Sequence, residues 1–357
     1  MSLYPIKFEP FLREMVWGGE KILPLKHLSL PLHRIGESWE ISGYPGHVTK
    51  VAEGSLKGLS LEELVHTYKE ALVGKAAYRT FGDTFPLLVK IIDASSDLSV
   101  QVHPNDELAA QRHPGQRGKN EMWYVMQTDP GAALYCGIAR EVSREEYQAR
   151  VADGTITDIL ARYEVQPGDV FSIPAGRIHA ICKGCMLAEI QETSDLTYRI
   201  FDYNRPGLDG KPRQLHTAEA LDAIDFTVQA DYRTHYPAQK NAETMLVRSP
   251  WFTTSLLDLD APFRKDLSGL DSFVVVMCIA GSGTLTDAEP LFDRMPGADG
   301  DIALNGADGA ASASRPGPTK GHRATLRQGE TLLIPATSLG VSFTPDAAGM
   351  KLLLSHL

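Results

Sequence analysis

Long apolar runs are missing from this 357-residue chain. A helix that crosses a bilayer needs about 18–20 consecutive apolar residues, so none is expected to do so. The first residues, MSLYPIKFEPFLREMVWGG, do not make a secretory leader, because Pro5, Glu9, Pro10 and Arg13 break any apolar core. Cysteine is scarce: Cys136, Cys182, Cys185 and Cys278 are scattered along a large chain. That usage fits reduced thiols and a cytoplasmic protein rather than a disulfide framework. Cys182 and Cys185 form a lone C-x-x-C. A zinc ribbon needs a second pair and a redox motif needs a βαβ setting, so two free thiols on a hairpin are the plain reading. Positive charge is also short, with 35 Lys and Arg against 45 Asp and Glu, a net −10. Such a surface repels nucleic acid and anionic membranes, and neither is expected as a partner. A phosphorylated ligand is an anion too, and would require a local cluster of cations. Heptads and broad apolar helix faces are absent, so nothing demands an oligomer and a monomer is expected.

What is present is an ordinary globular composition, 43% hydrophobic and 22% charged, in a chain long enough for two domains. Its densest chemistry lies in residues 97–125, DLSVQVHPNDELAAQRHPGQRGKNEMWYV. Gln101 and His103 sit two apart in a strand-like run, and a period of two puts both side chains on one face. Pro104-Asn105-Asp106 ends that strand. Lys119 and Glu121 repeat the spacing on the next run, through Trp123, Tyr124 and Val125. Later, Ile173-Pro174-Ala175-Gly176-Arg177-Ile178 leads to His179 at a strand end. One histidine in a β protein is ordinarily a packing residue. An amide, two imidazoles and a carboxylate on neighbouring strands make an N/O donor set of the kind zinc favours, and an open position would make it catalytic.

The same words carry a resemblance. FPLLVKIIDASSDLSVQVHPND, GKNEMWYV, VQPGDVFSIPAGRIHAI and TYRIFDYNR, with weaker matches at Trp17-Gly18-Gly19 and IGESWEIS, resemble the type I mannose-6-phosphate isomerases over residues 5–225. The resemblance implies a mainly β chain built as two cupin-like jelly-roll barrels with short helical excursions. It implies one zinc ion per chain, held by Gln101, His103, Glu121 and His179, and Arg199 as an active-site residue. It also favours an active-site role for Lys90, a costly charge inside the apolar strand Leu-Leu-Val-Lys-Ile-Ile.

Taken in order, residues 4–60 read as short strands and turns, with Trp39 either in the core or lining a sugar site. Ser60-Leu61-Glu62-Glu63 and Ser143-Arg144-Glu145-Glu146 are capping boxes. They open a helix over LEELVHTYKEALVGK, and a second that ends near Asp153-Gly154 before a short helix running to Tyr163. These are helical insertions, at about 60–80 and 143–163, in a metal-binding catalytic domain spanning 1–235. Arg199 and Asp202 interleave with aromatics on a strand that lines a pocket, and a short helix follows from Thr217 to Ile224. Residues 236–357 read as a second cupin-like unit lacking metal. Its Gly329-Glu330, Ile334-Pro335-Ala336 and Gly340 echo Gly168-Asp169, Ile173-Pro174-Ala175 and His179 at a constant offset, with glycine where the histidine stood. Residues 287–321, rich in Gly, Ala, Asp, Ser and Pro, read as an excursion between two strands of that unit.

The expected reaction is interconversion of mannose 6-phosphate and fructose 6-phosphate through an enediol(ate), with a small phosphorylated sugar as partner. Zinc and Arg199 would stabilise the developing charge. Lys90 and Lys119 would contact phosphate or substrate oxygens, with Lys119, Trp39 and Asp202 further residues of the site. Glu192, Asp202, Lys119 or a zinc-bound water are candidates for the general base. The competing readings are a different cupin enzyme, such as an iron or manganese oxygenase or a sugar epimerase, and a sugar-phosphate sensor without turnover.

Overall fold

The computed structural model describes residues 3–287 and 321–357. The body of the 287–321 excursion lies outside the described residues. Within them, every named strand pairing is antiparallel, and the mainly β expectation holds. No described helix is long and apolar enough to cross a membrane.

Two sheets build the site. A six-stranded sheet runs in the order Val170–Ile173, Glu121–Thr128, Cys185–Glu192, Leu87–Asp93, Ile35–Ile41, Phe11–Gly19. A five-stranded sheet runs Tyr198–Phe201, Val100–Val102, His179–Ile181, Ala133–Ile138, Leu160–Glu164. Period-two alternation decides which side chains meet. Ile92, Trp123, Phe171 and Leu187 of the first sheet share a core with Leu134, Cys136 and Ile181 of the second. The opposite face of the five-stranded sheet, with Val100, Val102, Ala180 and Ile200, packs on Tyr147, Ile156, Ala220 and Ile224 of the helical segments.

The third sheet has nine strands, seven of them in the order Glu243–Arg248, Thr253–Leu259, Gly340–His356, Val274–Asp287, Thr331–Ile334, Ile6–Glu9, Lys50–Val51. Phe263–Asp266 and Arg323–Arg327 pair alongside. One set of its side chains, including Val274, Val276, Cys278 and Leu332, encloses a core of its own. The alternate set, Val275, Met277, Ile279, Leu333 and Leu353, packs into the large core that backs the six-stranded sheet through Val89, Ile91, Met122 and Ile190. Ile6–Glu9 thus belongs by hydrogen bonding to the C-terminal sheet.

Three local expectations change. The helix expected over LEELVHTYKEALVGK is broken into Leu61–Tyr68, Glu70–Val73 and Lys75–Phe81. Lys69 turns left-handed (φ 48°), as does Gly74 (φ 93°), and Asp271 accepts the Lys75 and Ala76 N–H groups where the third piece starts. The short helix expected to reach Tyr163 is one 3-10 turn, Ile156–Ile159, followed by strand Leu160–Glu164. The turn after His103 opens an unexpected helix, Asp106–Arg112, capped where Asn105 accepts the Leu108 N–H.

Candidate active site and metal centre

The strand register sets up the donors. Gln101 stands opposite His179 on one side and Arg199 on the other, so one row across the five-stranded sheet reads Arg199, Gln101, His179. His103 follows two residues after Gln101, and its carbonyl accepts the Gly176 N–H at 2.9 Å, which ties it to the bend before His179. Glu121 comes from the facing sheet, at the start of its strand, opposite Gln191 and Ile173. All three titratable donors are buried.

His103 Nε2 lies 3.6 Å from Glu121 Oε2, and His179 Nε2 lies 3.4 Å from Oε1. One ligand atom from each of the three falls within 4.8 Å of the others. Both ring Nδ1 atoms are taken by backbone carbonyls, His103 by Leu196 at 3.0 Å and His179 by Arg177 at 2.8 Å. That places the proton on Nδ1 and turns the Nε2 lone pairs toward Glu121, the arrangement that orients metal-binding imidazoles. Gln101 Nε2 sits 3.1 Å from His179 Nε2, and a flip of the amide presents its oxygen there instead. Glu121 Oε1 is buried without a hydrogen-bond partner, and Oε2 has the Lys119 ammonium 2.6 Å away. Two inward lone pairs and a buried carboxylate with one oxygen unpartnered fit a divalent cation well.

The electrostatics agree. Burial, with Lys119 adding to it, pushes the His103 imidazole down to about 4, and burial also lowers His179. Both rings are therefore neutral donors at pH 7. Burial alone would raise the Glu121 carboxyl, but the Lys119 ammonium 2.6 Å away and the imidazoles outweigh it and hold it well below the usual range. Burial would lower Lys119, yet Glu121 and Glu189 hold it protonated, above its usual value.

Beside the donors is a polar cleft of about 210 Å³. Gln101, Lys90, Lys119 and Arg199 line it, and so do residues that the pattern of the sequence did not single out: Arg13, Glu37, Glu189, Asp195, Arg213 and His216. Lys90 reaches Glu189 at 3.3 Å and Asp195 at 3.8 Å. Glu189 also accepts the Trp123 Nε1–H at 2.9 Å. Trp39 lies behind this wall. It is fully buried, with Lys90 Nζ 4.7 Å from its ring and its own N–H donated to Glu37. Asp202 is buried and holds Arg205 and Arg213 rather than facing the cleft. Glu192 faces Asn120, and burial pushes its carboxyl up to about 7. Neither of these two carboxylates is on the cleft wall. The sequence did hold a signal for Glu189: like Lys90, it is a charge at an inward position of an apolar strand. Arg213 and His216 come from an irregular loop whose pattern carries none.

Comparison with known proteins places these observations. Residues 6–130 match the family described as phosphomannose isomerase type I, catalytic domain. Mannose-6-phosphate isomerase ManA of Bacillus subtilis is 33% identical over 294 residues, covering 82% of this chain and 90% of that protein. The mannose-6-phosphate isomerase of Streptococcus mutans is 34% identical over 283 residues, covering 79% and 87%. The crystal structure of mannose 6-phosphate isomerase from Bacillus subtilis aligns over 99% of this chain and 100% of its own, with a TM-score of 0.81 at 28% identity. Fold, cleft and relatives define an enzyme of the aldose–ketose isomerase class. The chain belongs to the type I mannose-6-phosphate isomerase family.

Proposed function

We propose that this protein interconverts mannose 6-phosphate and fructose 6-phosphate with one zinc ion bound by Gln101, His103, Glu121 and His179. The observation that carries the reading is the inward-facing Nε2–Nε2–carboxylate set, with Glu121 Oε1 buried and unpartnered, beside a cleft lined with cations. A divalent ion bound there would supply Lewis-acid polarisation of the substrate's C1 and C2 oxygens.

The chain's own groups divide the remaining work. A proton leaves C2 of the open-chain aldose and returns to C1, through an enediol(ate). Arg199, next to Gln101 in the row, holds a fixed positive charge beside the oxygens where negative charge develops. Lys119 is protonated and buried at the donor set, so it donates a hydrogen bond or proton to an oxygen and cannot be the base. Glu189, which was not among the candidates offered by the sequence, is on the cleft wall between two ammonium groups, whereas Glu192 and Asp202 are not. We assign the carbon-to-carbon proton transfer to Glu189.

The wider architecture supports a division into a catalytic cupin-like barrel (1–235) and a second without metal (236–357), with Ile6–Glu9 crossing to the second. A cytoplasmic monomer remains the reading for location and assembly. The test is a coupled isomerase assay on the purified chain, before and after chelation, with metal content measured in parallel. Turnover lost with the metal and restored by zinc supports the proposal. A chain that binds zinc yet converts neither sugar phosphate overturns it.

A further inference from the structure

Charge is divided unevenly across the cleft. On the six-stranded side, Lys90 meets Glu189 and Asp195, Lys119 meets Glu121 at 2.6 Å and Glu189 at 3.6 Å, and Arg13 meets Glu37 at 3.1 Å and Asp195 at 3.2 Å. Three cations there face four carboxylates. The other side reverses the balance. Arg205 and Arg213 share the single carboxylate of Asp202, Arg205 Nη2 at 2.9 Å and Arg213 Nε at 2.7 Å. Arg199 makes no ion pair with a described carboxylate; its Nη1 donates to the Gln214 carbonyl, and its buried Nε has no partner. Three guanidinium groups against one carboxylate leave two positive charges over.

A built loop carries this excess to the cleft. The chain leaves strand Tyr198–Phe201 through Tyr203 (φ 56°) and Asn204 (φ 51°), two left-handed residues that are not glycine. It pinches where Pro206 bridges Pro212, and returns so that the His216 N–H reaches the Arg199 carbonyl at 2.7 Å. Asp202 clasps both limbs, Arg205 on the way out and Arg213 on the way back. His216 Nδ1 accepts the Arg199 backbone N–H at 3.1 Å. Its proton therefore sits on Nε2, which leaves a neutral donor at the cleft wall.

We propose that Arg213, assisted by His216 Nε2–H, binds the phosphoryl group of the substrate, and that Asp202 is the positioning residue that aims Arg213. The inference deepens the isomerase reading and rests on it for the identity of the ligand. A phosphomonoester carries about −1.5 to −2 charges at pH 7, and this is the side of the cleft on which positive charge is left over. Seated on the six-stranded side, it would face four carboxylates instead. The row runs from Arg199, whose N–H His216 accepts, through Gln101 to His179, so the loop joins it at the end away from His179. A sugar with its reacting carbons at one end and its phosphate at the other fits that order.

Arg213→Met in the zinc-loaded enzyme tests the assignment. The KM for mannose 6-phosphate and the inhibition constant of inorganic phosphate should each rise about ten- to a hundredfold, as expected for loss of a charged hydrogen-bonding partner. The kcat should stay within about threefold, with zinc at one per chain. Arg213→Lys keeps a cation against Asp202 and should fall between the two; it and His216→Ala serve if Arg213→Met does not fold. Asp202→Asn should raise KM without lowering kcat, and Asp202→Glu should restore it. Unchanged KM and phosphate inhibition in both Arg213 variants would overturn the proposal, as would weakened phosphate inhibition in Lys90→Met in their place. Calorimetry with inorganic phosphate separates the two readings. Phosphate binding that depends on Arg213 in a protein without turnover would sink the isomerase reading and keep the subsite. Full turnover with an unaltered KM in Arg213→Met would sink the subsite alone.

Discussion

Replacing Lys119 with methionine tests the electrostatic logic of the metal centre. The Lys119 ammonium is buried, 2.6 Å from Glu121 Oε2 and 3.3 Å from His103 Nε2. Without metal it is the cation that compensates the Glu121 carboxylate. Its removal leaves a buried charge unpaired, a change that costs about 3–5 kcal/mol, so the metal-free variant should melt well below the metal-free parent. Two effects then oppose each other in zinc affinity. Two unit charges about 4 Å apart repel by about 4 kcal/mol at an effective permittivity of 20, and a divalent ion doubles the charge on one side. Losing Lys119 relieves that repulsion. Against it, Glu121 now follows its burial, which raises the carboxyl, so it must lose a proton before it binds, at about 1.4 kcal/mol for each unit by which it titrates above the working pH. The first effect is larger. Lys119→Met should bind zinc at least about tenfold more tightly than the parent at pH 7, and zinc should raise its melting temperature more. Its affinity should also climb between pH 6 and 9 beyond the rise the parent shows, because only the variant must deprotonate Glu121 there. Competition with a chromophoric chelator across that range measures both. Zinc binding that is weaker in the variant, or parallel in pH, would refute the reasoning.

Arg199→Ala should lower kcat/KM by about 10²–10³ while zinc stays at one per chain; a variant that isomerises at the parental rate refutes the role. Glu189→Gln should lower kcat by about 10²–10⁴ with metal retained, and near-normal wash-in of solvent deuterium at C1 of the product would exclude it as the base. The metal-free protein should lose stability as pH falls from about 6.5 to about 4. His103 has a folded pKa of about 4, below the ordinary 6.5, so the unfolded chain takes up its proton first and stability present above pH 6.5 drains away across that window. Glu121, held lower still, adds its loss only below the normal carboxylate range. Calorimetric melting at pH 4–7 should show that decline, and a flat profile would contradict it.

The candidate metal donors were legible because each sits at a strand position where period two and an adjacent bend fix its direction. Gln101 and His103 are followed by Pro104, Glu121 opens its strand, and His179 follows Pro174 and Gly176. The strand register then converts that local order into convergence, with Gln101 between His179 and Arg199. Lys90 and Arg199 were legible as charges among apolar neighbours. What the pattern did not disclose depends on pairing across the fold. The side of Trp39 that faces the cleft is covered by Lys90 and Arg13, which come from other strands. Asp202 is occupied by Arg213, eleven residues on and across a loop. The break at Lys69 reflects a left-handed backbone that no preference of lysine foretells.

Residues 236–357 repeat the shape of the turn that leads to His179 without its histidine, and this bears on why they are there. Gly168 and Gly329 are both left-handed, at φ 99° and 85°, and each leads into a four-residue strand, Val170–Ile173 and Thr331–Ile334. His179 opens the next strand in the first unit, opposite Gln101, whereas Gly340 opens it in the second, opposite Asp266. With no donor there, the retained geometry serves packing. Val275, Met277, Ile279, Leu333 and Leu353 bury one face of the sheet in the core behind the six-stranded sheet. Five such side chains at about 2 kcal/mol each represent about 10 kcal/mol of burial, comparable to the whole stability of a domain. Ile6–Glu9 also draws hydrogen bonds from Thr331–Ile334. A chain ending at residue 235 should therefore aggregate or stay unfolded when expressed alone, although every metal donor is present. Co-expression with 236–357 should recover soluble, zinc-binding protein. A truncated chain that is soluble, melts cooperatively and binds one zinc would show that the second unit is not needed to complete the fold.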